Sequence, residues 1–176
     1  MKKVVLEVNG HPHEVLAGPQ EVLLDYLRQR LDLTGAKQSC DRLGQCGACT
    51  VIVDGKAVLS CLVKLISLDG FRVITVEGLG TPDNPHLIQH AFVLAGAVQC
   101  GLCTPGLIMA SKALLDRNPD PDEAAIKKAL RRNLCRCTPS GPISVSGSHR
   151  SRATRRRRFI FAGRCATSPA CASPCS

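Results

Sequence analysis

The sequence predicts an α+β fold in which a small mixed β-sheet with one helix is followed by an all-α helical bundle. Apolar residues alternate with a period of two in several segments before residue 78, as in half-buried strands. Beyond residue 85 they recur instead at helical spacing. Between the two patterns, residues 78–85 are rich in Gly and Pro, which predicts a linker. We therefore expect one domain over residues 1–77 and a second over residues 86–138.

The first domain is predicted to open with a hairpin and a helix. Residues 3–8 alternate apolar and polar side chains, which predicts a strand. Asn9 and Gly10 then form a strong signal for a tight hairpin turn, here into a second strand at residues 13–16. Four leucines at helical spacing predict a helix over residues 21–31.

Three more strands complete the predicted sheet. Asp54 and Gly55 predict a second hairpin, with its strands at residues 50–53 and 57–59. Residues 71–77 predict the last strand of this domain. Together with the first hairpin, these segments predict a small mixed sheet packed on a single helix.

Three helices are predicted in the second domain. Apolar spacing predicts the first over residues 86–96. Thr104 as N-cap and Pro105 in the first turn predict the second, which runs to about residue 117. Residues 120–123, Asp-Pro-Asp-Glu, combine Asp120 as the cap, a proline and Glu123 at the third helical position, and they predict a third helix to about residue 132. Short connections between these helices predict a compact bundle.

The positive charge of the chain, +9 in total, lies in its last segment. Residues 1–138 carry sixteen Lys and Arg against fourteen Asp and Glu, whereas residues 139–176 carry seven Arg and no acidic residue. Scattered Ser, Pro and Arg without a sustained period predict that this basic tail is disordered. With four Phe, one Tyr and no Trp, the chain has few side chains on which bases stack, so we expect no nucleic-acid binding.

Eight of the eleven cysteines fall into two sets of four. The first set, spaced C-x5-C-x2-C-x11-C, consists of Cys40, Cys46, Cys49 and Cys61. The second set, spaced C-x2-C-x31-C-x-C, consists of Cys100, Cys103, Cys135 and Cys137. Plant-type ferredoxins hold a 2Fe–2S cluster with three thiolates from one loop and a fourth from further along, which is the arrangement of the first set. Two sets therefore predict two 2Fe–2S clusters and the transfer of single electrons.

Zinc binding and disulfide formation are the alternative uses of these cysteines. Structural zinc sites also take four thiolates, usually as paired C-x2-4-C segments, and the C-x-C at residues 135–137 is unlike them. A zinc-stabilised interaction module with a basic nucleic-acid-binding tail stays open as the alternative function. Disulfides require an oxidising compartment, but the first ten residues lack the apolar core of a signal peptide. No apolar stretch reaches the roughly 18 residues of a membrane span, so we expect a cytoplasmic protein.

The cysteine-containing segments carry a family resemblance. They read SCDRLGQCGACTVIVDGKAVLSC, QCGLCTPGLIMASKALL and NLCRCT. Together they resemble the small iron–sulfur subunit of the molybdenum hydroxylases, the xanthine oxidase family, which includes carbon monoxide dehydrogenase, aldehyde oxidoreductase and 4-hydroxybenzoyl-CoA reductase. The likeness covers residues 1–138. It implies a ferredoxin-like β-grasp domain followed by a helical-bundle domain, each with one 2Fe–2S cluster.

The same resemblance implies partners and a role in an oxidoreductase. The small subunit joins a large molybdopterin-binding subunit and a medium FAD-binding subunit. Its clusters carry electrons between the molybdopterin active site and flavin or ferredoxin, in an enzyme acting on an aromatic, aldehyde, CO or N-heterocyclic substrate. No catalytic residue is expected on this chain. The apolar residues 106–109 beside the second cysteine set predict a docking face, which argues against a free-standing ferredoxin.

Individual site residues follow from the resemblance. The first set matches the ligands of the ferredoxin-domain cluster, and the second set matches those of the helical-domain cluster next to molybdopterin. Gln99 and Cys137 match residues that contact the pterin itself. Read by itself, Gln99 is equally an ordinary polar residue at a helix end.

The sequence departs from the family pattern at two places. The family spaces its first two cysteines by four residues and this chain has five, with Leu43 as the apparent insertion. We expect the extra residue to bulge outward and the cluster still to bind. After Thr138 the family continues with Gly-Tyr and a closing helix, whereas this chain continues with Pro139 and the basic tail. This replacement resembles a change of reading frame.

Overall fold

The computed structural model describes residues 1–137 and two short strands beyond them, Ser144–Ser146 and Ile160–Ala162. The first half of the chain forms a five-stranded mixed sheet in the order β2-β1-β5-β3-β4. Its strands are β1 (Lys2–Val8), β2 (His11–Ala17), β3 (Thr50–Val53), β4 (Lys56–Leu59) and β5 (Arg72–Ile74). β1 runs parallel to β5, and every other neighbouring pair is antiparallel.

Both predicted hairpins are present. β1 pairs with β2 so that Val4 lies opposite Val15, and both side chains point into the core. The turn between the strands has positive φ angles of 52° at Asn9 and 85° at Gly10, the conformation that the Asn-Gly pair favours. Asp54 makes the second turn with a φ of 44°. The local turn chemistry therefore fixes both pairings.

The helix predicted over residues 21–31 is shorter and wider than expected. α1 (Leu23–Asp25) is a single α-helical turn, and the chain continues as a π-helix over Tyr26–Arg30. Leu31 N donates to Tyr26 O at 3.3 Å, a bond that spans five residues instead of four. Leu27 is buried against the sheet, so the apolar spacing correctly predicted the buried side of a helix, most of which is a π-helix.

The strand predicted over residues 71–77 is also shorter than expected. It ends at Ile74 as β5, and Val76–Gly78 forms a 3₁₀ turn. The reason is a long-range contact, because Thr75 N donates to the Asn9 side chain at 2.9 Å instead of continuing the ladder.

Three helices form the second half of the described chain. They are α2 (Leu87–Leu94), α3 (Thr104–Arg117) and α4 (Glu123–Leu130). Phe92 of α2 is fully buried together with Leu107 of α3. Met109 and Ala113 of α3 pack on Ile52 of β3, so α3 lies directly against the sheet. Burying a side chain such as Phe92 stabilises the fold by about 1.5–3 kcal/mol.

Three expectations for this half are wrong. α4 is capped by Asp122, whose carboxylate accepts from Ala125 N at 2.8 Å, while Asp120 belongs to the preceding turn, where its N–H donates to Asn118. Thr104 is the first residue of α3 instead of its cap, and its hydroxyl has no hydrogen-bond partner among the described residues. The apolar residues 106–109 are buried within the fold and form no exposed docking face.

Beyond residue 137 little is described. β6 (Ser144–Ser146) pairs antiparallel with β7 (Ile160–Ala162). The rest of the predicted basic tail, residues 139–176, lies outside the described residues, so its predicted disorder stays a prediction. In the described part of the chain, no helix has the length and apolar character needed to cross a membrane.

Candidate metal centres

The first cysteine set lies on the loop before β3 and just after β4. Three of its thiols are buried, and Cys40 is half-exposed. The Cys46 thiol donates a hydrogen bond to the Cys40 sulfur, and the Cys61 thiol donates one to Cys49. Cys40 also interacts electrostatically with Cys61. The structure therefore brings all four members of the first set together.

Backbone amides lower the pKa values of these thiols, and burial raises them. The N–H groups of Cys46 and Gln45 donate to Cys40 and lower the pKa of its thiol to about 7. Burial raises the pKa of Cys61 to about 12, and the hydrogen bond it donates to Cys49 adds to the rise. Amides aimed at sulfur stabilise thiolates, which are the form that binds iron. This loop therefore presents the donors that an iron–sulfur cluster uses.

The second set joins the loop before α3 to the segment after α4. Cys137 donates a hydrogen bond to Cys100, and Cys103 donates one to Cys135. Cys100 and Cys137 are exposed, whereas Cys103 and Cys135 are half-buried. The N–H of Leu102 lowers the pKa of the Cys100 thiol. Burial raises the pKa of Cys103 to about 12.

Each cysteine set has the donor chemistry of a two-iron cluster. A 2Fe–2S cluster takes four thiolates, two on each iron. Each set supplies four cysteine thiols, none of them in a disulfide. Within residues 1–137, no group of three or more Cys, His, Asp or Glu side chains is positioned to hold a single metal ion.

Gln99 lies next to Cys100 in the loop between α2 and α3. Its side chain is exposed, as is Cys137, and Cys137 is hydrogen-bonded to Cys100. The two residues predicted to contact a pterin are therefore on the same exposed part of the second set.

The extra residue between Cys40 and Cys46 lies in an exposed turn. Leu43 N donates to Cys40 O at 3.0 Å, and the Leu43 side chain is 67% exposed. Asp41 and Arg42 have positive φ angles of 51° and 65°, a conformation that non-glycine residues seldom adopt. The insertion is thus accommodated by a tight outward turn.

Sequence reasoning missed the contact between the two cysteine sets. Asn133 donates from its side chain to Gly47 O at 2.9 Å, and Leu134 N donates to Cys46 O at 2.9 Å. The available signals were a glycine between two cysteines of the first set and an amide residue two positions before Cys135.

Two family profiles match the chain. One, described as a 2Fe-2S iron-sulfur cluster binding domain, covers residues 6–69, and the other, described as a [2Fe-2S] binding domain, covers residues 75–145. A nicotinate dehydrogenase subunit from Pseudomonas putida is 47% identical over 154 residues, which are 88% of this chain and 97% of the relative. The chain is a small iron–sulfur subunit of the molybdenum hydroxylase family. The predicted family, the α+β class and the two cluster-binding domains are confirmed.

Other relatives agree with this placement of the iron–sulfur subunit. The nicotinate dehydrogenase small FeS subunit of Eubacterium barkeri is 47% identical over 133 residues, covering 76% of this chain and 84% of the relative. The crystal structure of quinoline 2-oxidoreductase from Pseudomonas putida 86 matches with a TM-score of 0.74 at 34% identity, over 79% of this chain and 85% of that one. None of these similarities supports a zinc-stabilised module.

One structural match is a much longer protein. The aldehyde oxidoreductase of Desulfovibrio gigas gives a TM-score of 0.75 at 45% identity and covers 78% of this chain. This chain spans only 15% of that protein. The small iron–sulfur subunit therefore corresponds to one part of a larger oxidoreductase chain, and it serves electron transfer in an enzyme of this family.

Proposed function

We propose that this subunit carries one 2Fe–2S cluster on each cysteine set and passes single electrons between a molybdopterin site on a partner subunit and flavin or ferredoxin. The observation that carries the proposal is that the fold brings each set of four cysteines together from two separate segments. In the first set, the pairing of β3 with β4 and the bond from Ser60 N to Cys49 O at 3.2 Å place Cys61 beside Cys49. The ligands of the first cluster are Cys40, Cys46, Cys49 and Cys61. The ligands of the second are Cys100, Cys103, Cys135 and Cys137.

The bound clusters supply the redox chemistry, one electron at a time and without a proton. The chain's own residues bind and tune them. The amides of Gln45 and Cys46 donate to the Cys40 sulfur, and burial of Cys49 and Cys61 keeps water from the first cluster. The exposed thiols Cys100 and Cys137 leave the second cluster open to a partner.

The second set is the side on which we place the large molybdopterin-binding subunit. Gln99 and Cys137 are the residues we assign to contact with the pterin, and both are exposed. Exposed apolar side chains lie near them along the chain, at Val98, Leu102 and Leu134. A medium FAD-binding subunit would then exchange electrons through the first cluster. The names of the relatives from Pseudomonas and Eubacterium favour an N-heterocyclic substrate such as nicotinate for the assembled enzyme.

The finer architecture and location belong to the same proposal. Residues 1–77 form a β-grasp ferredoxin-like domain, residues 78–85 a linker and residues 86–138 a helical-bundle cluster domain. The mixed sheet with its packed helix and the three helices α2–α4 support this division. The proposed use of all eight thiols as cluster ligands supports a reducing, cytoplasmic location.

Metal analysis with spectroscopy tests the proposal. Anaerobically prepared protein should contain about four irons per chain, with two electron paramagnetic resonance signals after reduction. Cys49→Ser should remove one signal and Cys103→Ser the other, while Cys171→Ser, outside both sets, should change neither. Colourless protein with stoichiometric zinc would overturn the assignment.

A further inference from the structure

The two cysteine sets are joined by a backbone hydrogen bond. Leu134 N donates to Cys46 O at 2.9 Å. Cys46 belongs to the first set, and Leu134 immediately precedes Cys135 of the second. A bonded path from Cys46 to Cys135 therefore crosses one hydrogen bond and the backbone of one intervening residue, Leu134.

Asn133 fixes the position of this contact. Its side-chain amide donates to Gly47 O at 2.9 Å and to Thr50 Oγ1 at 3.3 Å. Thr50 Oγ1 in turn donates to Gly47 O at 2.7 Å and is buried. Both hydrogen bonds of the Asn133 amide nitrogen thus reach Gly47 and Thr50, in the segment that follows Cys46. These bonds join segments more than eighty residues apart in the chain.

Two glycines make the close approach possible. A Cβ atom on Gly47 would lie 2.2 Å from Arg132 O, and a Cβ atom on Gly106 would lie 2.2 Å from Gly47 O. Both contacts are with backbone, which no side-chain rotation relieves. The loop of the first set is consequently pressed against both the start of α3 and the end of α4.

We propose that Asn133 is a positioning residue for electron transfer between the two clusters, holding Leu134 N–H on Cys46 O as the route. The inference rests on the proposed function. One electron leaves the cluster on the second set and enters the cluster on the first, or the reverse, and no covalent bond or proton changes place. Covalent and hydrogen bonds carry electronic coupling better than an equal length of empty space, so loosening this contact slows the transfer.

The test compares Asn133→Ala with Asn84→Ala in the full-length chain with both clusters bound. Asn84 is exposed and lies in the predicted linker, so it controls for the loss of an asparagine side chain. Flash photoreduction followed by spectroscopy measures how fast the electron equilibrates between the two clusters. We expect Asn133→Ala to slow equilibration about ten-fold, the lower end of what loss of an outer-shell partner costs a metal site. Asn84→Ala should equilibrate like the unchanged protein.

A second measurement does not depend on electron transfer. Hydrogen exchange at the Leu134 amide should be faster in Asn133→Ala and unchanged in Asn84→Ala. Unchanged equilibration in Asn133→Ala, with two intact signals, would overturn the proposal, as would unchanged protection of the Leu134 amide. Iron well below four per chain in the unchanged protein would instead contradict the cluster assignment itself, so the two failures are distinct.

Discussion

Asn9 and Thr75 are joined by two hydrogen bonds that hold the β1–β2 turn against the end of β5. The Asn9 side chain donates to Thr75 Oγ1 at 2.9 Å and accepts from Thr75 N at 2.9 Å. Asn9 sits in the β1–β2 turn, and Thr75 follows β5, so the pair ties the first hairpin to the point where the chain leaves the sheet. Thr75 is fully buried and also donates to Glu77 at 2.6 Å.

Replacing Asn9 by glycine should therefore destabilise the first domain by about 2 kcal/mol, since each net hydrogen bond is worth about 1 kcal/mol. Glycine keeps the positive φ of the turn, and the added freedom that glycine gives the unfolded chain is measured separately by the control. Urea denaturation measures it. Asp32→Gly, at an exposed residue that also has a positive φ, is the control and should change stability little.

Gly47→Ala should destabilise the protein far more than Gly55→Ala. Both residues have positive φ, 69° and 76°, so alanine at either position carries a backbone cost of about 1–2 kcal/mol. Only at Gly47 does the added Cβ meet backbone, at 2.2 Å, whereas the space beside Gly55 is open. Thermal unfolding and iron content of the two variants check this. Equal losses of stability in the two variants would show that the added methyl group at Gly47 is accommodated and would contradict the prediction.

His86 should make the stability of α2 depend on pH. Its Nδ1 accepts from Ile88 N at 3.2 Å, while its backbone N–H donates to the Gln89 side chain at 2.8 Å, so the imidazole caps the helix only when Nδ1 is unprotonated. Burial lowers its pKa below the usual 6.5, and the charge of Lys112 lowers it further against the opposing effect of Asp116. The unfolded chain then binds the proton more tightly than the folded one. The cap's contribution is complete above pH 6.5 and is lost as the pH falls through the lower folded value.

His86→Asn separates the cap from the titration. Asparagine supplies a cap acceptor that does not titrate in this range, so the variant should match the unchanged protein at pH 8 and exceed it at pH 5 by about 1 kcal/mol, the usual worth of an N-cap. Melting temperature against pH is the measurement, with His90→Asn as the control on the exposed part of α2. Parallel curves for His86→Asn and the unchanged protein would contradict the prediction.

Truncation after residue 138 should leave both clusters in place. All eight proposed ligands lie at or before Cys137, and the removed segment has few apolar side chains for its charge and many Ser and Pro. Iron analysis and the resonance spectrum of the reduced, truncated chain give the answer. Selective loss of the second signal would mean that residues beyond 138 cover the helical cluster domain.

Local chemistry predicted the hairpins well. Asn9 and Gly10 encode their turn within two residues. The cysteine spacing predicts the two ligand sets because iron ligation depends on residue type, and the assignment of these eight ligands stays a prediction. The period of apolar residues did not distinguish an α-helix from the π-helix over Tyr26–Arg30, since the same side chains are buried in both.

Two of the misses came from contacts between distant segments, and the misplaced cap of α4 came from a local bond. β5 ends early because Thr75 turns toward Asn9, sixty-six positions away. Asp120 and Asp122 are equally good caps by residue type, and the bond from Asp120 N to Asn118 decides between them. The contact of Asn133 with Gly47 has no local pattern at all, since the two lie eighty-six positions apart.

The backbone contact at Gly47 limits how the two halves of this protein can be exchanged. A hybrid that joins the ferredoxin-type half of one relative to the helical half of another must bring together two glycines and a side-chain amide that come from both parents. If either parent carries a larger residue at the positions of Gly47 or Gly106, the carbonyl-to-Cβ distance of 2.2 Å forces the halves apart. The two domains should therefore be exchanged together in protein engineering. Crossover points for hybrids within this family should lie outside the two domains and not between them.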